Sequence, residues 1–199
     1  MKQGLVLLAL GIVLGICPQT SQAGFITFVA SLRGPSEAPP YASPGTGFCQ
    51  VDFDIVAHQM RVRASYTGLV ANSTASHIHA PTASPGTGNA AIAVGFNAAN
   101  GFPLGVTSGT YDQLFDTSLA STYRTAFVTA NGGTAAGAEA ALLSYLMAGS
   151  AYFNVHSQTY PGGEITGFLN AVPEPASLTS LAIGAVGLLL ARRRFVKRK

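Results

Sequence analysis

The stretch that most constrains this chain is residues 151–169, AYFNVHSQTYPGGEITGFL. Phe153 and Val155 fall on one parity, and Tyr152, Asn154 and His156 on the other. That is the period of a half-buried β-strand. Pro161-Gly162-Gly163 follows as a turn signal with positions free to take positive φ. Alternation then resumes, with Ile165, Gly167 and Leu169 against Glu164, Thr166 and Phe168. The unit predicts a β-hairpin that closes a sheet, so other strands must supply the rest of that sheet.

Those strands are legible upstream. Ile26, Phe28, Ala30 and Leu32 alternate over residues 25–33, and Val51, Phe53 and Ile55 over residues 47–57, where Cys49 shares their phase. Met60, Val62, Ala64 and Tyr66 alternate over residues 60–66, and Ile92, Val94 and Phe96 over residues 89–96. Arg61 and Arg63 fall on the outward parity, where cross-strand pairing with Asp52 and Asp54 is expected. A further strand is expected over residues 105–111, while residues 112–123 are ambiguous. Residues 134–148 are the one good helical stretch, with Leu142, Leu143, Leu146 and Met147 as its apolar stripe and Gly149 as its stop. Many short alternating strands separated by Gly/Pro turns predict an all-β, antiparallel Greek-key sandwich or barrel, immunoglobulin-like or superoxide-dismutase-like, with one short helical insert.

The two ends read differently from the middle. Residues 1–23 have a charged Lys2, an apolar run over residues 5–16 and a Ser21-Gln22-Ala23 cleavage site, the pattern of a secretory signal peptide. Residues 172–199 carry Pro173-Glu174-Pro175, an apolar run over residues 176–191 and then Arg192-Arg193-Arg194 with more basic residues. Sixteen residues at 1.5 Å each make about 24 Å, a marginal transmembrane span that the positive-inside rule would orient with its basic end in the cytoplasm. Residues 24–171 remain for the β domain.

Charge narrows the partners. The chain as a whole carries +3, but its basic residues crowd into the C-terminal tail. Within residues 24–171, four arginines face seven acids, leaving that span at −3 and without a footprint for nucleic acid. Cys17 lies in the leader, so Cys49 stands alone in the domain and no disulfide framework is available. Its apolar phase marks Cys49 as a small buried hydrophobe, with a reactive thiol or an intermolecular bridge as the alternative. No paired acids, nucleophile–base pair or phosphate-cradling loop occurs, so no catalytic residue is assigned.

Histidine is the one residue type whose placement suggests chemistry. In His77-Ile78-His79 the two imidazoles share a face if Ile78 is core, and in residues 152–156 His156 points away from the core side chains Phe153 and Val155. If these strands are neighbours, His77, His79 and His156 converge on one outer face, and Glu164 joins them. Imidazole suits zinc or copper. The alternative is that these polar groups hydrogen-bond loop backbone and close the end of the barrel. His58, in a turn, is expected in solvent.

Taken in order, Glu37-Ala38-Pro39-Pro40, Tyr66-Thr67-Gly68-Leu69, His77-Ile78-His79-Ala80-Pro81, Asn154-Val155-His156 and Pro161-Gly162-Gly163-Glu164-Ile165 resemble the CHRD domain, the module named from chordin and found also in bacterial secreted proteins. The tail resembles the PEP-CTERM sorting signal. That second resemblance implies recognition by an exosortase, removal of the tail, and release or attachment outside the cell after transient anchoring in the inner membrane. Together they imply a non-enzymatic envelope or extracellular-matrix module acting by binding or architecture, without a cofactor, with exopolysaccharide or extracellular proteins as partners. The rival expectation is a zinc- or copper-binding protein, or a superoxide-dismutase-like redox protein, that uses His77, His79 and His156.

Overall fold

The computed structural model describes residues 25–173; the expected signal peptide and the expected C-terminal transmembrane span lie outside them. Among the described residues no helix is long and apolar enough to cross a membrane. The strands are β1 (Ile26–Arg33), β2 (Thr46–Asp54), β3 (Gln59–Thr67), β4 (Ser73–His79), β5 (Ile92–Phe96), β6 (Gly109–Asp116), β7 (Tyr152–Ser157), β8 (Ile165–Phe168) and β9 (Asn170–Ala171). Two helices, α1 (Thr125–Ala130) and α2 (Ala135–Met147), intervene between β6 and β7.

All pairings are antiparallel, and the strands form one sheet in the order β5-β4-β7-β8-β1-β2-β3-β6, with β9 added beside β1. The all-β antiparallel expectation therefore holds, but the strands make a single curled sheet, a half-barrel, in place of two stacked layers. The sheet curls because its inward parity is almost wholly apolar. Phe28, Leu32, Cys49, Val51, Met60, Val62, Ile78, Val94, Phe153, Val155 and Ile165 are all fully buried. Across the opening, Phe96 of β5 meets Tyr111 and Phe115 of β6, with ring centroids 5.7 Å apart in both cases. The two edge strands thus share side-chain packing without sharing a backbone ladder.

Helix α2 starts at Thr134, whose hydroxyl accepts the Gly137 N–H at 3.1 Å, the N-cap arrangement. Its buried side is Ala138, Glu139, Leu142 and Leu146, while Met147 is 57% exposed, so the apolar stripe sits a little N-terminal of the expected one. Glu139 is held there by His58 Nδ1, at 2.8 Å, and by the Thr117 hydroxyl. His58 is indeed in a turn and half in solvent, but its ring ties the β2–β3 turn to this helix. Helix α1 has no clear periodic signal in six residues and was not expected.

The charged ladder also re-sorts. Arg63 pairs with Asp52, but Arg61 reaches Asp112 on β6 at 2.7 Å, and Asp54 turns back to accept the Val56 and Ala57 N–H groups at 2.9 Å. Both pairs run diagonally, since the register sets Asp52 of β2 opposite Arg61 and Asp112 of β6 opposite Arg63.

Candidate metal centre

The site begins with the register of β4 against β7. Ile78 pairs with Phe153, His77 with Asn154, His79 with Tyr152, and Ala75 with His156. Ile78, Phe153 and Val155 face the core, so the histidines share the opposite face, as strand parity requires. His77 and His156 occupy a diagonal. The side chain directly opposite His156 is only a methyl group, Ala75, which leaves room for the imidazole to lean toward His77.

The three rings form a compact group. Ring centroids are 4.7 Å apart for His77 and His156, 5.3 Å for His77 and His79, and 6.3 Å for His79 and His156. One ring nitrogen from each lies within 4.8 Å of those of the other two. A tetrahedral ion with bonds of about 2.0–2.1 Å holds its ligands about 3.3 Å apart. The His77 Nδ1 to His156 Nε2 separation of 2.8 Å must therefore open slightly, and the wider gaps must close. Small rotations of the imidazoles suffice for both.

Hydrogen bonding assigns the lone pairs. His79 Nδ1 is 2.8 Å from the Ala90 carbonyl and His156 Nδ1 is 2.9 Å from the Pro161 carbonyl. A carbonyl only accepts, so both Nδ1 atoms carry hydrogen, and in neutral rings both Nε2 atoms keep a lone pair. The loop before β5 and the Pro161 turn thus hold two imidazoles in the tautomer and orientation that a metal requires. His79 Nε2 is buried and has no hydrogen-bond partner, and neither has the neighbouring Asn154 Oδ1. A buried polar atom without a partner is costly, and an ion with a bound water would engage both.

The electrostatics favour the neutral, ligand-competent form. Burial pushes the His77 imidazole down to about 3, with the charges of His156, His79 and Arg124 adding to the effect. Burial also lowers His79 and His156, against the upward pull of their carbonyl hydrogen bonds. The cover includes the Tyr152 ring, stacked on His79 at 4.7 Å and 6°, whose hydroxyl accepts the Ala90 N–H at 3.3 Å.

Glu164 is not brought to this group. Its side chain is fully buried, and one carboxylate oxygen accepts the Ser43 hydroxyl at 2.6 Å and the Val70 N–H at 2.8 Å. It lies one residue before β8, and its two partners come from the β1–β2 and β3–β4 connections, so it ties loops together. Beside it, Gly163 has φ 132°, and a β-carbon there would stand 2.6 Å from a Glu37 carboxylate oxygen. Only glycine tolerates both conditions. Burial raises the Glu37 carboxyl to about 7.

Two residues of the site were not singled out from sequence as candidates. Asn154 shares the parity of His156, which is a usable signal; Arg124 lies outside every strand and has none.

A curled antiparallel β domain with three clustered imidazoles on its outer face, two of them buried and oriented by backbone carbonyls, defines the class of molecule. Comparison with protein-family models matches the CHRD domain over residues 28–169, and the chain belongs to that family. A second match, over residues 171–194, is the PEP-CTERM protein-sorting motif, which marks an extracellular protein handled by an exosortase. No curated protein and no solved structure matches the chain.

Proposed function

We propose that this is an exported, non-enzymatic domain that works by holding a copper or zinc ion on His77, His79 and His156. The observation that carries the reading is the pair of Nδ1–H···O=C hydrogen bonds, which leave Nε2 of His79 and of His156 as lone-pair donors beside His77. Three imidazoles with no thiolate suit either ion. Glu164 is left out of the ligand set, and Asn154 is the nearest candidate to orient a bound water.

The tail would anchor the chain transiently in the inner membrane, and exosortase processing near Pro173-Glu174-Pro175 would then release it to the envelope or matrix. Partners there would be exopolysaccharide or extracellular proteins, with the metal as structural or recognition element. We read the non-sequential β4–β7 and β8–β1 neighbours as Greek-key links of a superoxide-dismutase-like barrel left open between β5 and β6.

Metal analysis of tag-free secreted protein tests this reading. We expect one copper or zinc per chain, lost in the His77→Ala/His156→Ala double variant while its circular dichroism stays that of a β protein. Stoichiometric metal that survives the double variant, or none after loading with either ion, overturns it.

A further inference from the structure

We propose that the open coordination position of this site takes a small monovalent anion, held on its far side by Arg124. The inference rests on the metal reading above and deepens it. Three ligands leave at least one position of a zinc or copper ion free. The three imidazoles are neutral donors, so the bound ion keeps its whole charge in a largely buried place. Such a charge needs a counter-charge close by. Among the described residues no carboxylate joins the ring nitrogens, and Glu164 is spent on Ser43 and Val70. The counter-charge therefore has to come from outside.

Arg124 stands where it would meet that anion. Its backbone N–H is tied to the Ala93 carbonyl of β5 at 2.9 Å. Its Cδ and the Cδ2 of His77 each lie 3.8 Å from the same point, the β position of Gly95. His77 is the most exposed of the three histidines, so the site opens on the side Arg124 occupies. Arg61 and Arg63 both pair with carboxylates, whereas Arg124 has no ion-pair partner among the described residues. An unpaired guanidinium beside a dication is repulsive when nothing lies between them. With an anion between them the charges alternate, and the guanidinium fork offers two N–H donors to it. A cavity of about 510 Å³, lined by Gly95, Asn97, Asn100, Thr122 and Arg124 among others, leaves solvent beside Arg124, though none of the three histidines lines it.

The ligand class is a small anion with one lone pair for the metal and another for the guanidinium, such as a carboxylate or bicarbonate. Azide is the probe. Secreted protein is first titrated with copper(II), then with azide, following the azide-to-copper charge-transfer band and the copper paramagnetic resonance spectrum. Arg124→Met keeps the aliphatic stem over Gly95 and removes the charge; Arg124→Lys keeps the charge. We expect both variants to take up copper, the Met variant no less tightly than wild type because a repulsive charge beside the ion is gone. Azide should bind the Met variant about tenfold or more weakly than wild type, the worth of a charge-assisted hydrogen bond, and the Lys variant in between. Equal azide affinity in wild type and the Met variant, or a copper-loaded wild type that binds no azide, overturns this inference and leaves the metal reading standing. A protein that takes up no metal in the first titration overturns both.

Discussion

His79→Phe separates the metal site from the fold. The phenyl ring keeps the volume of the imidazole and can keep its stack on Tyr152, 4.7 Å away in the native protein. The substitution deletes the Nδ1–H bond to the Ala90 carbonyl, a loss of about 0.5–1.5 kcal/mol. It also deletes Nε2, a buried nitrogen without a partner, and removing such an atom recovers about 1–3 kcal/mol of desolvation. The two changes oppose each other, so the metal-free variant should melt within a few degrees of wild type. The metal response should differ sharply. An ion present at about one hundred times its Kd stabilises the folded state by about 2.7 kcal/mol. For a domain of this size each kcal/mol moves Tm by about 2–4 °C, so wild type should rise by about 5–11 °C. The variant, left with two imidazoles, should rise by less than about 2 °C on the same scale. Differential scanning calorimetry with and without zinc, at fixed excess, reads both numbers. A variant that keeps the full metal-induced rise would show that His79 is not a ligand, and the tautomer argument would fall with it.

Four other outcomes are expected. Phe153→Ala removes a fully buried ring packed 5.5 Å from Phe96 and should cost about 3–5 kcal/mol in urea denaturation; an unchanged midpoint would mean the β7 faces are reversed. In the metal-free protein the His77 imidazole should show no NMR titration at pH 5 and those of His79 and His156 should titrate below the ordinary histidine value, and a midpoint near 6.5 for any of them would refute their burial as neutral bases. The sign for stability follows, because the unfolded chain takes up these protons below about pH 6.5 while folded His77 resists them down to about 3, so their contribution is full above 6.5 and is lost as pH falls. Glu37, raised to about 7, acts oppositely: its contribution is full below its unfolded value and is lost as pH rises toward 7, so Glu37→Gln should remove that upper decline. Finally, intact-mass measurement of the secreted protein should find a chain that begins near Gly24 and has lost its tail beyond the Pro173-Glu174-Pro175 region; a mass retaining residues 192–199 would exclude sorting with cleavage.

Much of the domain could be read directly because strand parity is a local property. Side chains alternate whatever the strand later pairs with, so Phe28, Val51, Val62, Ile78, Phe153 and Ile165 are identifiable as core from their neighbours in sequence. The same parity places His77, His79 and His156 on the opposite face. Helix α2 was legible for a similar reason, since Leu142, Leu143, Leu146 and Met147 recur at helical spacing before the Gly149 stop. Cys49 at an apolar phase is fully buried, as that phase implies, and burial pushes its thiol strongly up.

What parity leaves open is which strands meet. Nothing in residues 73–79 names residues 152–157 as their partner, because hydrogen bonding between backbones is the same for any pair of strands. Only closure of the sheet sets β4 beside β7 in the register that puts Ala75 opposite His156. Long-range contacts also decide the fate of the charged groups. Glu164 turns to Ser43 and Val70, Arg61 finds Asp112, and Arg124 comes to stand over Gly95 beside His77. The sequence by itself determined the strands, their inward faces and the shared face of the histidines, since each depends on residues a few positions apart. Tertiary structure alone decided that the imidazoles touch, which nitrogens keep their lone pairs and which charge stands at the opening. The first and the last depend on atoms dozens of residues apart, and the lone pairs on loop carbonyls whose placement the sheet fixes.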